Sequence, residues 1–170
     1  MDEGTFESIT IRDICTNANV SIGSFYHYFH SKDDLIIDQY LSNADEFEQF
    51  YTAESLAENE WDNLRTYVKF QIEYTLNASL ERVKYVYSYN INHNEVSLDR
   101  HEQMISIILS RAKEKGQMKE EFSIEEIVDH FFILVTGNIF RYCVKKGEYD
   151  IKTQLSCQVE HLISLIEKKN

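Results

Sequence analysis

Hydrophobic residues recur at helical spacing along most of the chain. Between residues 124 and 144 they fall three or four positions apart, which predicts one long helix that ends near Lys146. Ser123, followed three positions later by Glu126, has the sequence of a capping box. Asp150 can cap a final helix, whose apolar positions are Ile151, Leu155, Val159, Leu162, Ile163 and Ile166.

The same spacing predicts three helices in the middle of the chain, around residues 64–76, 80–91 and 98–112. Residues 90–94 are polar, and we expect a loop there. The chain contains no proline and only five glycines, so it has few of the residues that interrupt helices. These features together predict an all-α fold.

Two short helices are predicted near the N-terminus. Thr10 with Asp13 has the sequence of a capping box that opens a helix over residues 11–18. After a break, Ser21 can cap a second helix over residues 22–28. Two short helices joined by a tight turn are the pattern of a helix-turn-helix, whose second helix enters a groove of DNA.

That second helix must be held from behind and must present small or hydrogen-bonding groups outward. We expect Val20, Phe25 and Phe29 to anchor it. Ser31 is predicted to cap a third helix that continues to about Glu58. The residues of the second helix expected to face outward are Ile22, Gly23, Ser24, Tyr26, His27 and Tyr28.

Charge and cysteine content narrow the class of protein. The chain has 17 Lys and Arg against 29 Asp and Glu, a net charge of −12, which excludes a protein that coats nucleic acid by bulk charge. Its three cysteines show no paired spacing, as in reduced thiols of a cytoplasmic protein. No run of 18 apolar residues and no signal-peptide pattern occurs, so we expect a cytoplasmic protein without a membrane partner.

No residue pattern in the chain matches a catalytic, cofactor-binding or metal-binding motif. His27 and His30 are three positions apart, but no cysteine or carboxylate stands at a matching spacing. The pair His101-Glu102 lacks a second histidine at position 105, so the zinc-protease motif fails. We therefore predict that the protein is not an enzyme and uses no cofactor. A small helical-bundle enzyme is one alternative, but the sequence contains no set of catalytic residues that supports it.

A resemblance to a known family is carried by residues 5–35, TFESITIRDICTNANVSIGSFYHYFHSKDDL. This stretch resembles the DNA-binding signature of the TetR/AcrR family of bacterial one-component transcriptional regulators. Beyond residue 38 the chain resembles the family only in the layout of its helices. The matching positions are Thr10, Ile11, Ile14, Ala18, Val20, Ser21, Gly23, Phe25, Tyr26, Phe29, Ser31, Lys32 and Leu35.

The resemblance implies a helix-turn-helix DNA-binding domain at residues 1–38 and a helical effector-binding and dimerisation domain at residues 39–170. The helix at residues 22–28 would read the major groove of a double-stranded DNA operator. Members of the family are typically repressors that leave the operator when a small organic molecule binds. The residues implied to contact DNA are Thr10, Ile22, Gly23, Ser24, Tyr26, His27, Tyr28 and Lys32.

Two features depart from the family pattern. Family members carry a further helix before the point that corresponds to Phe6, so the first helix is predicted to be truncated here. Residues 1–40 contain two cationic and seven acidic side chains, a net charge of −5, which predicts weak non-specific affinity for DNA. The alternative function is therefore a dimeric helical small-molecule sensor or scaffold that does not bind DNA.

Aromatic residues are dense on the predicted middle helices. They can line a cavity for a flat or apolar organic effector, or they can simply fill the core between helices. The residues predicted to line such a cavity are Tyr67, Phe70, Tyr74, Tyr85, Tyr89, His93, Met104 and Ile108.

The last two predicted helices carry apolar faces wider than one neighbouring helix covers, which predicts a homodimer. Gly137 interrupts a strongly helical stretch at a cost of about 1 kcal/mol relative to alanine, so we expect another helix to approach it closely. The resemblance implies that these helices pair with those of a second subunit as a four-helix bundle. The predicted interface residues are Ile127, Phe131, Gly137, Val144, Leu155, Val159, Leu162 and Ile166.

Overall fold

A computed structural model describes residues 8–38, 57–93 and 98–168. Within these residues there are eight helices, and the only extended pairing is one bridge between Met118 and Glu167. The prediction of an all-α fold is confirmed. The helices are α1 (Ile11–Ala18), α2 (Ile22–Tyr28), α3 (32–38), α4 (Glu60–Asn77), α5 (Leu80–His93), α6 (Leu98–Glu114), α7 (Ile124–Val144) and α8 (Ile151–Ile166).

The boundaries of α1 and α2 agree with the prediction, whereas α5 is longer than predicted. It continues to His93, so residues 90–93, which were predicted to lie in a loop, are helical. Asparagine costs a helix only a few tenths of a kcal/mol, which is too little to end one. The predicted truncation before Phe6 and the predicted continuation of the third helix over residues 39–56 lie outside the described residues.

Local side-chain contacts start and end α7 and α8. The Ser123 hydroxyl accepts a hydrogen bond from the Glu126 amide at 3.1 Å, and the Glu126 carboxylate accepts one from the Ser123 amide, which is the predicted capping box. After α7 the chain turns at Gly147, where φ is +87°, a backbone conformation that glycine adopts without strain. Asp150 then accepts from the third residue beyond it and caps α8.

Helices α4, α6, α7 and α8 pack around one hydrophobic core. Burying an aromatic or large aliphatic side chain contributes roughly 1.5–3 kcal/mol, so this core dominates the stability of the chain. The largest side chains with almost no exposed surface are Trp61, Leu64, Tyr67, Ile105, Ile108, Leu109, Met118, Phe131, Ile151, Leu155, Ile163 and Ile166.

The composition of this core shows that most of the predicted dimer interface is wrong. Six of the eight predicted residues are buried inside the protomer, so they have no surface to offer a partner: Ile127, Phe131, Leu155, Val159, Leu162 and Ile166. Their helices use these positions to pack against one another and against α4 and α6. Hydrophobic spacing identifies the apolar face of a helix, but it does not say which neighbour covers that face. Gly137 and Val144 are exposed.

Helix α7 is long and apolar enough to cross a membrane, judged by length and composition alone. In the fold it lies between α6 and α8. Its residues Phe131, Val135 and Ile139 are buried in the protein's own core. These properties are those of a core helix.

A buried carboxylate attaches the start of α4 to the end of α6. Glu60 has no exposed surface, and it accepts hydrogen bonds from Lys115 at 2.6 Å and from Asn63 at 2.9 Å. Burial pushes the pKa of Glu60 upward, but these hydrogen bonds and the nearby Arg111 outweigh it, so the net pKa lies below its ordinary value. The carboxylate therefore stays ionised and holds the two helix ends together at neutral pH.

Candidate nucleic-acid interface and effector cavity

Helix α1 begins at a complete capping box. The Thr10 hydroxyl accepts from the Asp13 amide at 3.2 Å, and the Asp13 carboxylate accepts from the Thr10 amide at 2.9 Å. Hydrogen bonds from the Thr10 side chain and backbone lower the pKa of Asp13. Because these contacts lie within four consecutive residues, the sequence specifies them without help from the rest of the fold.

The turn between α1 and α2 depends on Asn19, which has a left-handed backbone with φ of 53°. Asparagine tolerates this conformation better than other residues with a β-carbon. The Asn19 amide donates to the Thr16 carbonyl at 3.2 Å, and the Val20 amide donates to the Cys15 carbonyl at 3.0 Å. These bonds satisfy the last carbonyls of α1 and direct the chain into α2.

Phe25 anchors α2, as predicted. Its side chain is only 5% exposed, and its ring lies 5.4 Å from the ring of the half-buried Phe29. The Ser21 hydroxyl caps the helix by accepting from the Ser24 amide at 2.9 Å. Val20 does not take part in the anchor, because it lies in the turn outside both helices and is 47% exposed. Its predicted role is therefore wrong.

The opposite side of α2 is open to solvent. Tyr26 is 52% exposed and Tyr28 is 76% exposed, and the His27 ring contacts that of Tyr28 at 5.0 Å between centroids. Side chains that carry hydroxyl and imidazole groups are thus held outward by a ring buried on the other side. All six residues predicted to face outward are exposed: Ile22, Gly23, Ser24, Tyr26, His27 and Tyr28.

Helix α3 is attached to the start of α1. Lys32 Nζ donates to the Ile9 carbonyl at 2.8 Å, which brings the ammonium group to the residue beside Thr10. Asp34 accepts from the Ser31 hydroxyl at 2.5 Å and from the His30 amide at 2.8 Å. The hydrogen bond from Ser31 is the main reason that the pKa of Asp34 is lowered. Thr10 and Lys32, predicted to contact phosphates, are therefore close to one another.

We name α1, α2 and α3 the head and α4 to α8 the helical domain. The head contacts the helical domain through a second, small hydrophobic cluster. Ile36 of α3 and Val86 of α5 are both buried there, and Tyr74 and Tyr85 pack against them. Burial raises the pKa of Tyr85, and a hydrogen bond with Asp33 of α3 raises it further. Apolar and polar contacts therefore join the head to the helical domain at the same place.

A small cavity lies beside this contact, between α4, α5 and α7. Its free volume is about 20 Å³, which is room for about one water molecule. Tyr74 and Val86 belong both to its wall and to the cluster that holds the head. The lining residues are Gln71, Tyr74, Thr75, Ala78, Arg82, Val83, Val86, Tyr87 and Ile139.

The residues predicted to bind an effector do not lie together around this cavity. Tyr74 alone among them lines it. Tyr67, Met104 and Ile108 are buried in the main core, and Phe70 packs against that core. The remaining tyrosines of the set, Tyr85 and Tyr89, contact each other on α5 with ring centroids 6.4 Å apart, and the side chain of His93 lies outside the described part of the chain.

A buried polar cluster explains one of these core positions. The Tyr67 hydroxyl lies 2.7 Å from His101 Nδ1, and the Gln71 amide donates to that hydroxyl at 3.0 Å. Burial lowers the pKa of His101 to about 4, so its imidazole is neutral at neutral pH. Tyr67 thus joins α4 to α6 as part of the core.

Residues 1–38 match the family model described as bacterial regulatory proteins, TetR family. The similarity to this family therefore lies in the first 38 residues of the chain. No curated protein is significantly similar to it in sequence.

Solved structures share the fold of this chain at low sequence identity. FadR from Bacillus subtilis in complex with stearoyl-CoA is 15% identical, with a TM-score of 0.74 over 94% of this chain and 89% of that one. A proposed regulator from Saccharomonospora viridis in complex with choline is 15% identical, with a TM-score of 0.70 over 96% and 90%. A TetR-family regulator from Pseudomonas syringae is 18% identical, with a TM-score of 0.61 over 99% and 90%. The family and these neighbours are transcriptional regulators rather than enzymes.

Helix α7 exposes an apolar stripe that shares only Gly137 and Val144 with the predicted interface. Ile133 is 68% exposed and Phe140 is 65% exposed, and Gly137 and Val144 lie at helical spacing on the same face. A methyl group added at Gly137 would meet nothing within 4 Å in the protomer. The glycine therefore leaves open space at the middle of this stripe.

Sequence reasoning missed several residues of the cavity. Gln71 and Thr75 are polar residues four positions apart on an otherwise apolar face of α4, and both are buried. Arg82 lies in the first turn of α5, where the helix dipole disfavours a cation. These two irregularities are visible in the sequence once the helices are known.

Proposed function

We propose that this protein is a TetR-family regulator, a cytoplasmic, homodimeric repressor that binds a double-stranded DNA operator and leaves it when a small organic effector binds. In this proposal residues 1–38 are the DNA-binding domain, and residues 39–170 are the effector-binding and dimerisation domain. The observation that carries the proposal is α2, whose polar side is exposed while Phe25 is buried behind it.

Helix α2 would enter the major groove with its exposed side toward the base edges. Ser24 and His27 can hydrogen-bond to bases or phosphates, and Gly23 allows the backbone to approach closely. Thr10 and Lys32 would contact phosphates near the start of α1. The residues proposed to contact DNA are Thr10, Ile22, Gly23, Ser24, Tyr26, His27, Tyr28 and Lys32.

Charge in the head predicts an unusual salt response for such an interface. Residues 8–38 contain the cations Arg12 and Lys32, and their acidic residues outnumber them. Each neutralised phosphate contributes a slope of about −0.9 to the plot of log affinity against log salt concentration. Operator binding should therefore depend weakly on salt, because most contacts would be made by neutral side chains.

Dimerisation would place two heads on one operator. The exposed stripe of Ile133, Gly137, Phe140 and Val144 on α7 is the proposed interface, because an apolar face of this kind is usually covered by a partner. Two heads must lie about 34–36 Å apart to enter successive major grooves. The spacing of the heads is thus the quantity that an effector would alter.

The shared wall of the cavity supports a route from effector to DNA. Tyr74 and Val86 line the cavity and also pack against Ile36 of α3. An effector larger than the free volume must displace these side chains, and the contact that orients the head then changes. A ligand shifts the population only as far as it binds the displaced state more tightly.

Fluorescence anisotropy with labelled DNA from upstream of the protein's own gene tests the proposal. Wild type should bind one segment of that DNA specifically, and Tyr26→Ala should weaken binding at least about tenfold while the thermal melting curve is unchanged. Lys69→Gln, a change at an exposed lysine of the helical domain, is the matched control. If wild type binds no segment above the level of random duplex, the protein is instead a dimeric helical sensor or scaffold without DNA binding.

A further inference from the structure

Arg82 is the one cation in the lining of the cavity between α4, α5 and α7. Its Nε is buried and has no hydrogen-bond partner. One terminal nitrogen donates to the Tyr74 hydroxyl at 3.3 Å, and the guanidinium lies 5.9 Å from the centre of the Tyr74 ring. The charged group is thus held against the cavity by an aromatic side chain that carries no negative charge.

No carboxylate among the described residues forms an ion pair with Arg82. The adjacent Glu81 instead pairs with Lys84 at 3.2 Å. Arg82 also lies in the first turn of α5, where the helix dipole adds positive potential. The cavity therefore has a positive charge and an unused donor, and the described protein supplies no counter-charge.

The rest of the lining limits what that counter-charge can belong to. Ala78, Val83, Val86 and Ile139 are apolar, so the walls suit a hydrocarbon or aromatic body. A single guanidinium matches a single negative charge, and its planar fork matches a carboxylate. A phosphate dianion would need a second cation, and the described lining has none.

We propose that the effector is an organic monocarboxylate, whose carboxylate pairs with Arg82 while its apolar body lies against Val83, Val86 and Ile139. This inference rests on the proposed function, because it names the ligand class of the same cavity. The present free volume of about 20 Å³ is too small for such a molecule. Binding must therefore move the wall that Tyr74 and Val86 share with the head contact. The same charge pair that selects the ligand would thus drive release of DNA.

Matched probes that differ only in the head group test the ligand class. Octanoate and phenylacetate are titrated by calorimetry and thermal shift into the intact protein, beside octanamide, phenylacetamide and octyltrimethylammonium. At least one acid should bind about tenfold more tightly than its own amide, and the ammonium probe should not bind. Equal binding of acid and amide would overturn the proposal, as would the failure of both acids to bind.

Two variants on α5 locate the charge that the acid needs. Arg82→Gln should lose about tenfold in affinity for the acid and leave affinity for the amide unchanged, whereas Lys84→Gln, which removes an ion-paired cation outside the cavity, should bind as wild type does. Retention of acid binding by Arg82→Gln would overturn the assignment. If Arg82→Gln does not fold, Arg82→Lys keeps the charge but loses the planar fork, and it should lose acid affinity while it keeps amide affinity.

The operator assay separates this inference from the regulator proposal. Acid-selective binding without any DNA binding would keep the ligand class and reject the regulator. Specific DNA binding without acid binding would keep the regulator proposal and reject the ligand class.

Discussion

The head and the helical domain are stabilised by different means. The head contains short helices with complete caps, and its buried hydrophobic residues are Cys15, Phe25, Ile36 and Ile37 among those described. The helical domain instead buries a continuous core between α4, α6, α7 and α8. Short capped helices with a small core open locally at low free energy, whereas a large core unfolds cooperatively. The head is therefore the part whose position a ligand can change most easily.

The largest effect is expected in the core of the helical domain. Phe131→Ala removes a ring that is almost completely buried and lies 5.9 Å from the ring of Tyr67. The free energy of unfolding should fall by about 3–5 kcal/mol, because the lost burial adds to the cost of the cavity. Urea denaturation followed by circular dichroism measures it. Tyr28→Ala, at an exposed ring of the head, is the control for loss of an aromatic ring. A similar loss in both would contradict the assignment of Phe131 to the core.

In the head, removal of the anchor should have a local effect. Phe25→Ala should cost about 3 kcal/mol, which is enough to unfold a region with so small a core. Most of the helical circular dichroism should remain, because the helical domain keeps its own core. Hydrogen exchange should then show fast exchange over residues 11–28 only. Tyr26→Ala, the neighbouring exposed ring, should leave exchange unchanged; equal effects of the two substitutions would mean that the faces of α2 are wrongly assigned.

Acid should weaken the helical domain at a higher pH than it weakens the head. Burial lowers the pKa of His101 to about 4 from an ordinary value of 6.5. The unfolded chain therefore takes up a proton below pH 6.5 that the folded chain refuses until about pH 4, so stability falls by roughly 3 kcal/mol across that interval. The lowered pKa of Asp34 acts only below its ordinary value of 3.8.

Urea unfolding at a series of pH values measures this dependence. In His101→Gln the loss of stability between pH 7 and pH 4 should be smaller than in wild type by that amount, and His130→Gln, at an exposed histidine of α7, should keep the wild-type slope. An unchanged slope in His101→Gln would show that other groups cause the acid sensitivity.

The smallest effect concerns the turn of the head. Asn19→Val should destabilise the head by about 1–2 kcal/mol, because a β-branched residue is strained at a φ of 53°. Asn19→Gly has no such strain and should keep the stability of the head and its DNA binding. Thermal melting of the pair measures the difference. A valine variant as stable as the glycine variant would show that the turn adopts another conformation in solution.

Sequence-based prediction was more accurate for the head than for the helical domain. The ends of α1 and α2, the capping box of Thr10 and Asp13 and the burial of Phe25 were all predictable. Each depends on residues within a few positions of one another, so the sequence contains both partners of every contact. Val20 is the exception in the head, because the backbone direction after Asn19 decides its exposure.

Predictions for the helical domain failed where they depended on which helices are neighbours. The spacing of Ile127 and Phe131 showed an apolar face, but the face is covered within the protomer rather than by a partner. Aromatic density on α4 and α5 suggested a cavity, but Tyr67 belongs to a core cluster with His101. Arg82 was passed over because nothing local shows that its Nε is buried without a partner.

By itself the sequence determined the helical class of this protein, the helix-turn-helix and the residues that α2 exposes, because caps, turns and helical periodicity are interactions between residues a few positions apart. Only the tertiary structure decided which apolar faces are buried, where the cavity lies and that Tyr74 and Val86 join it to the head. Those features depend on contacts between helices that are distant in the sequence, and their geometry is set by packing.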